Sequence, residues 1–178
     1  MFSFIRYTPC FLFRIMERSK FNVSNDTAKR TYSDIVFDSE LEMKYYRDVI
    51  CPGVGSGEIA HYELQKEYTL QPKFRHDGKS VQPILYVADF YVEYSDGHCE
   101  VIDTKGCPDS TARIKRKMFW YNYPDISYRW ITYVKKWGGW IDYDAANKLR
   151  KENKKNKKKS KENVDNGEEG KTSIGKCV

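Results

Sequence analysis

Three residues near the middle of the chain have side chains that could do chemistry together. Asp103 follows Asp89 after thirteen intervening residues, and Lys105 comes two positions later. Both aspartates lie in apolar stretches, residues 84–90 and 101–102, where strand propensity disfavours Asp. Two carboxylates at cross-strand distance, roughly 5 Å between Cβ atoms, repel each other unless a cation lies between them. The pattern therefore predicts a site for a hard divalent cation, and Mg²⁺ fits best.

A divalent cation beside two carboxylates and a lysine suits phosphodiester hydrolysis. The cation neutralises charge that develops on the phosphate and lowers the pKa of water. Lys105 could hold or deprotonate the attacking water. The competing interpretation is that Asp89 and Asp103 are unrelated surface carboxylates, as most aspartates are.

Alternating apolar residues predict the two strands that carry these side chains. The first spans residues 84–94 and the second spans residues 98–105. In the second strand, Asp103 and Lys105 share a phase. In the first, alternate positions form one apolar face, so Asp89 is expected on the opposite side. The residues of that face are Tyr86, Ala88, Phe90, Val92 and Tyr94.

Whether the two aspartates meet depends on the turn between the strands. A two-residue loop would send Asp89 and Asp103 to opposite faces of the hairpin. A three-residue loop, with Gly97 in a left-handed G1 bulge, pairs Tyr94 with His98 and sets the aspartates opposite each other. We expect the three-residue loop.

Helix and strand signals around this pair predict an α/β domain. Ser39 and Glu42 form a capping box, which predicts a helix. That helix is expected to end near Cys51, because Pro52 and the glycines after it disfavour continuation. The other predicted elements are a strand over residues 62–74, a helix from Asp109 or Ser110 to about Tyr123, a strand over residues 126–134 and a helix from about Tyr143.

Positive charge is concentrated near the end of the chain. The formal net charge is +6, yet residues 148–161 alone carry +8 and residues 162–178 carry −2, which leaves residues 1–147 neutral. The basic segment could add sequence-independent attraction to phosphates. It could equally be a solvated tail that keeps the chain soluble.

The five cysteines are scattered without a CxxC pair, which fits a reducing cytosol and argues against structural zinc. The apolar residues 1–15 are interrupted by Arg6, Pro9 and Arg14, so a signal peptide or membrane span is not expected. Met16 could be the native start. We expect a cytoplasmic protein with an N-terminal lead over residues 1–30, one domain over 31–147 and a flexible Lys-rich tail over 148–178.

Asp89 with Asp103-Thr104-Lys105 resembles the D-x(n)-(D/E)-x-K signature of the PD-(D/E)XK nucleases. The predicted order of helix, three strands, helix and strand also resembles the core of that superfamily. Ala88 stands where the motif has Pro, and Asp103 where Glu is commoner. Four segments further resemble small phage proteins regarded as Holliday junction resolvase-like endonucleases. They are residues 37–46, 70–72, 87–90 and 103–106.

The resemblance covers about residues 30–145 and implies a restriction-endonuclease-like core with a mixed central sheet and a C-terminal helix. It implies that Asp89, Asp103 and the Thr104 carbonyl hold Mg²⁺, with Mn²⁺ able to substitute, and that Lys105 positions the nucleophilic water. Glu42 would match the extra acid that many members supply as a further ligand, although the capping box is a competing role. Glu40 is the alternative acid.

The implied function is a Mg²⁺-dependent endonuclease that acts on branched DNA, as a homodimer, in the host cytoplasm if the protein is phage-encoded. Four cations after the motif are candidates for phosphate contacts, with a solvated helix face as the competing interpretation. They are Arg113, Lys115, Arg116 and Lys117. The alternative function is a non-catalytic nucleic-acid-binding protein that uses the basic tail.

Overall fold

The computed structural model describes residues 26–168, with side chains described through residue 157. The helical segments are a 3-10 turn (Thr27–Arg30), α1 (Glu40–Tyr45), a π turn (Tyr46–Ile50), α2 (Cys51–Ser56), α3 (Ser110–Asn122), a second 3-10 turn (Lys135–Trp137) and α4 (Tyr143–Glu168). The strands are β1 (Thr31–Tyr32), β2 (Ile35–Val36), β3 (Ile59–Gln71), β4 (Phe74–His76), β5 (Lys79–Val81), β6 (Ile84–Tyr94), β7 (Cys99–Thr104), β8 (Ser127–Val134) and β9 (Gly139–Asp142). The expectations for residues 1–25, including a start at Met16, and for residues 169–178 lie outside the described residues.

A mixed five-stranded sheet forms the centre of the fold, in the order β3-β6-β7-β8-β9. Its neighbours pair antiparallel except β7 and β8, which are parallel. Parallel neighbours need a crossover, and α3 provides it. The predicted α/β class, with a mixed central sheet and a C-terminal helix, is confirmed.

Two apolar clusters cover the opposite faces of this sheet. Val101 and Ile102 are adjacent in β7 and belong to different clusters, because successive strand residues point to opposite sides. The first cluster comprises Phe37, Met43, Tyr45, Tyr46, Ile50, Ile59, Phe90, Val92, Ile102 and Ile131. The second comprises Tyr68, Leu70, Tyr86, Ala88, Val101, Phe119, Tyr128, Trp130 and Tyr143.

Strand β6 changes face at Asp89. Phe90 and Val92 lie in the first cluster, with Tyr94 packed against it, whereas Tyr86 and Ala88 lie in the second. The prediction that these five residues share one apolar face is therefore wrong.

The physical cause lies in an irregularity between β3 and β6. Leu64 pairs with Phe90 and Lys66 with Ala88 in one register, but Gln65 and Asp89 between them do not pair. Gln65 has a φ of 55°, a left-handed conformation that interrupts the alternation of the strand. A sequence pattern of period two cannot show such a break.

The register that brings the aspartates together is confirmed. Pairs from Phe90 with Ile102 to Glu93 with Cys99 follow the register of the three-residue loop, and one further step places Asp89 opposite Asp103. At the turn, the Tyr94 N–H donates to the His98 carbonyl at 2.9 Å, and Gly97 has a φ of 88°.

The first helix begins as predicted but does not end at Cys51. The Ser39 side chain caps α1 by accepting from the Glu42 N–H. The chain then continues through the π turn, where the Cys51 N–H donates to the Tyr46 carbonyl, and into α2. Pro52 falls in the first turn of α2, where a missing N–H costs little. The helix ends instead at Gly57, whose φ is 79°.

Several other elements differ from the sequence expectations. The β4–β5 hairpin occupies residues 74–81, and β9 separates the turn at Gly138 from the last helix. Helix α4 runs through Glu168, so the described part of the Lys-rich segment is helical. Among residues 26–168, no helix is long and apolar enough to cross a bilayer.

Replacing Gly97 tests the turn that sets the register. A Cβ at Gly97 meets nothing within 4 Å, so Gly97→Ala isolates the cost of the left-handed φ, about 1–2 kcal/mol of unfolding free energy. The control is Gly55→Ala, which also meets nothing and lies inside α2, where it should stabilise by about 0.5–1 kcal/mol. Urea unfolding measures both. Equal effects at the two sites would contradict the turn assignment.

Candidate metal and phosphate site

Hydrogen bonds between β6 and the end of β7 hold Asp89 and Asp103 beside each other. The Asp89 N–H donates to Asp103 Oδ1 at 3.2 Å. In return, Asp89 Oδ2 accepts from the Thr104 N–H at 2.7 Å and from Thr104 Oγ1 at 3.1 Å. The face change at Asp89 thus turns its carboxylate toward the end of β7, so the structure brings Asp89, Asp103 and Thr104 together.

Asp103 is almost fully buried, at 1% exposure, and both of its oxygens accept hydrogen bonds. Lys105 Nζ lies 2.9 Å from Asp103 Oδ2. The Tyr128 hydroxyl donates to the same oxygen at 2.9 Å, and Trp130 Nε1 donates to that hydroxyl at 2.7 Å. Tyr128 is not among the site residues predicted from the sequence, although its alternation with Trp130 on β8 places both on one face.

The electrostatics of the site favour a positive charge. Burial raises the pKa of Asp89 to about 7, and the charge of Asp103 contributes, while Lys105 and the Thr104 donors oppose the shift. Burial lowers the pKa of Lys105, but Asp103 and Asp89 outweigh it, so the pKa is raised above its ordinary value. Lys105 is therefore a firmly held cation that partly compensates two carboxylates.

Glu42 lies at the edge of this group and serves as a helix cap. Its Oε1 accepts from Ser39 Oγ at 2.8 Å, and its Oε2 accepts from the Asp38 N–H at 3.2 Å. Burial raises the pKa of Glu42 to about 9, with a further contribution from Asp89. The structure therefore places Glu42 within electrostatic reach of Asp89, with one oxygen bonded to the Ser39 cap and the other to the Asp38 N–H. Glu40 is exposed and pairs with Lys44 at 2.7 Å.

The donor chemistry suits a metal that keeps most of its waters. Among residues 26–168, no group of three or more His, Cys, Asp or Glu side chains is arranged to hold a metal. Mg²⁺, however, is commonly held by one or two carboxylates with waters and substrate phosphates. Asp89 Oδ1 accepts no hydrogen bond from the described residues, and a carboxylate offers about four lone-pair sites. Asp89 therefore has room for a cation, whereas Asp103 already accepts from the Asp89 N–H and the Tyr128 hydroxyl and contacts Lys105, so a Mg²⁺ bound by both carboxylates would share Asp103 with these donors.

The four cations of α3 do not form one surface. Arg116 is buried, pairs with Asp144 at 2.7 Å and stacks 4.2 Å from the Trp130 ring. Lys115 Nζ donates to the Leu85 carbonyl at 2.8 Å. Arg113 and Lys117 are exposed. Two of the predicted phosphate contacts thus serve packing, and two face outward.

The chain matches a protein family whose description assigns no activity. Residues 18–139, more than half of the chain, match the family described as "Protein of unknown function (DUF1064)". The match contains the aspartates, Lys105 and α3, and it ends before α4. No curated protein matches the chain.

Tyr128→Phe removes the buried donor to Asp103 and should lower the unfolding free energy by about 1.5–3 kcal/mol, because the acceptor is a carboxylate. Tyr123→Phe is the matched control, since its hydroxyl donates to the Thr69 carbonyl at an exposed position. Chemical denaturation in EDTA measures both variants. In an Asp103→Asn background the cost of Tyr128→Phe should shrink, and an undiminished cost would separate Tyr128 from that carboxylate.

Stability without metal should fall as pH rises toward 9. Native Glu42, with a pKa of about 9, stays protonated where the unfolded carboxyl has ionised, so the native state binds more protons between about pH 4.5 and 9. The limiting slope is about 1.4 kcal/mol per pH unit for one proton. Urea unfolding between pH 7 and 9, above the pKa of Asp89, should show a flatter slope for Glu42→Gln. Glu40→Gln is the exposed control, and a wild-type slope in Glu42→Gln would contradict the assignment.

Proposed function

The chain belongs to the DUF1064 family of proteins of unknown function, and we propose that it is a metal-dependent endodeoxyribonuclease of the PD-(D/E)XK type. One observation carries the proposal. At the end of β7, the Asp89 N–H donates to the Asp103 carboxylate and the Thr104 N–H donates to the Asp89 carboxylate. Lys105 Nζ lies 2.9 Å from the Asp103 carboxylate. Two carboxylates and a lysine at that spacing are the arrangement the D-x(n)-(D/E)-x-K signature describes.

Asp89 and Asp103 would hold Mg²⁺, with the Thr104 carbonyl as a further oxygen ligand and Mn²⁺ as a substitute. When bound, the cation supplies neutralisation of phosphate charge and activation of water. The carboxylates are oriented in advance, since Thr104 holds Asp89 and Tyr128 holds Asp103. Preorganisation of this kind spares reorganisation when the substrate reacts.

Lys105 acts as a cationic donor in this proposal. Its raised pKa keeps the ammonium protonated near neutral pH, which suits orienting a water or a phosphate oxygen more than removing a proton. Glu42 keeps its capping role and adds a raised-pKa carboxyl beside the site.

The proposed substrate is DNA, and a branched structure and a homodimer follow from the resemblance to resolvase-like endonucleases. Cutting two strands symmetrically requires two sites, which a two-fold dimer supplies. The mixed sheet, with α1 on one face and α3 as the crossover, is compatible with the restriction-endonuclease-like core that the proposal requires.

The second candidate is a non-catalytic nucleic-acid-binding protein that uses the basic helix. Lys148, Lys151, Lys154 and Lys155 are exposed on α4, next to a single acid, Glu152. Such a protein would bind DNA equally well with or without Asp89 and Asp103. Substitution of these aspartates therefore distinguishes the two candidate functions.

A cleavage assay tests the proposal. Linear, flap and four-way-junction DNA are incubated with the full chain, with Mg²⁺, with Mn²⁺ and with EDTA. Asp103→Asn and Lys105→Met should each lower the cleavage rate by at least about 100-fold, since each removes a group that acts on the reacting phosphate or its metal. Asp125→Asn, a change of the same chemistry on the turn before β8, should cut at the wild-type rate.

Absence of cleavage by the wild type in either metal would overturn the enzyme assignment and leave the binding protein. Wild-type cleavage by Asp103→Asn would overturn the site assignment. A third readout is independent of activity: Mg²⁺ should raise the unfolding free energy of the wild type and leave that of Asp103→Asn unchanged.

A further inference from the structure

The outer face of α3 exposes large apolar side chains. Ile114 is 59% exposed, Trp120 is 45% exposed and Tyr121 is 86% exposed. Contiguous exposed apolar side chains commonly mark an interaction site. Helix α3 therefore has a buried side in the second cluster and an outer side on which these three residues are exposed.

Two cations share this outer side. Arg113 and Lys117 are exposed, and neither forms an ion pair with a described residue. Residues at positions i and i+4 are neighbours on a helix surface, so Arg113, Lys117 and Tyr121 form one row. Helix α3 contains no acidic residue between Ser110 and Asn122. The outer side is thus both aromatic and positive.

An open, largely apolar groove of about 330 Å³ runs beside this row. Its floor is held in place, since Asn122 Nδ2 donates to the Leu70 carbonyl at 2.7 Å and to the Met118 carbonyl at 2.9 Å. Lys117 and Tyr121 line one side, and Gln71 lies on the other.

The Trp120 ring is also held in place, from beneath. The buried Arg116 guanidinium lies 4.5 Å from the ring, and Asp144 fixes that guanidinium at 2.7 Å. A cation over an indole face stabilises the pair by about 0.5–1 kcal/mol or more. Trp120 therefore presents preorganised ring surface at the end of α3, and the exposed Tyr121 ring follows it in the sequence.

The positive charge of this face distinguishes between two possible partners, a second copy of the chain and a nucleic-acid strand. In a two-fold contact with a second copy, the row of cations would approach its own symmetry mate, which like charges oppose. A nucleic-acid strand has phosphates for the cations and flat base faces for the rings. Bases inside a duplex are already stacked, so the rings require unpaired bases.

We propose that the outer face of α3 binds an unpaired strand of the nucleic-acid substrate, with bases stacked on Tyr121 and Trp120 and phosphates at Arg113 and Lys117. The inference rests on the proposed function for the identity of the substrate. Helix α3 starts five residues after Lys105 and is about 20 Å long at 1.5 Å per residue. A strand along it would lead to the site.

Fluorescence anisotropy in EDTA tests the inference without cleavage. The probes are a labelled single-stranded oligothymidine and a blunt duplex of equal length, titrated with the full chain. Tyr121→Ala should weaken binding of the single strand by about 5- to 150-fold, as loss of one stacked base does, and change duplex binding by less than about twofold. Lys117→Gln should lower the salt slope for the single strand by about 0.7.

The matched controls lie on the β4–β5 hairpin. Phe74 is exposed at 44%, and Lys79 is exposed on the same hairpin. Phe74→Ala and Lys79→Gln should leave affinity and salt slope for the single strand at wild-type values. Tyr121 contributes little buried area, so its replacement should leave the unfolding transition unchanged.

Three results would overturn the inference. They are wild-type affinity of Tyr121→Ala for the single strand, an equal loss of affinity for both probes, and a wild-type dimer that Tyr121→Ala dissociates in sedimentation, which would assign the face to a second copy. Failure of the proposed function is recognised separately, as absence of cleavage with intact binding of the single strand.

Discussion

Reciprocal backbone hydrogen bonds between β6 and β7 hold the two aspartates together. The Asp89 N–H binds the Asp103 carboxylate, and the Thr104 N–H binds the Asp89 carboxylate. These bonds require one strand register and a change of face in β6. They also require an apolar cluster on each side of the sheet, because a strand that changes face buries some of its residues on one side and the rest on the other. The other contacts of the candidate site depend on these two hydrogen bonds.

Burying these carboxylates has an electrostatic cost that neighbouring side chains offset. Burial of carboxylates disfavours their charged forms, and the raised pKa values of Asp89 and Glu42 express that cost. Lys105 supplies an opposite charge, while Tyr128 supplies a donor from inside the second cluster. Perturbed carboxyl pKa values in a fixed geometry are typical of functional sites.

The sequence predicted those features that a few local residues determine. Gly97 determines the loop and hence the register, and Ser39 with Glu42 determines the start of α1. The face change at Asp89 was not predictable, because it comes from a left-handed residue, Gln65, in the neighbouring strand. The first helix continues past its predicted end, because a π turn places Pro52 in the first turn of α2, where proline is tolerated. The roles of the α3 cations depended on tertiary partners, such as Asp144 for Arg116, that lie far away in the sequence.

The reciprocal hydrogen bonds also make two backbone amides sensitive to the charge of the two carboxylates. The N–H groups of Asp89 and Thr104 each donate to a carboxylate whose charge a proton or a cation would change. A hydrogen bond to an ionised acceptor is shorter and stronger than one to a neutral acceptor. The Thr104 amide proton resonance should therefore shift when Asp89 titrates, and both resonances should shift when a cation binds the carboxylates. The two amides report the charge state of the pair without any label.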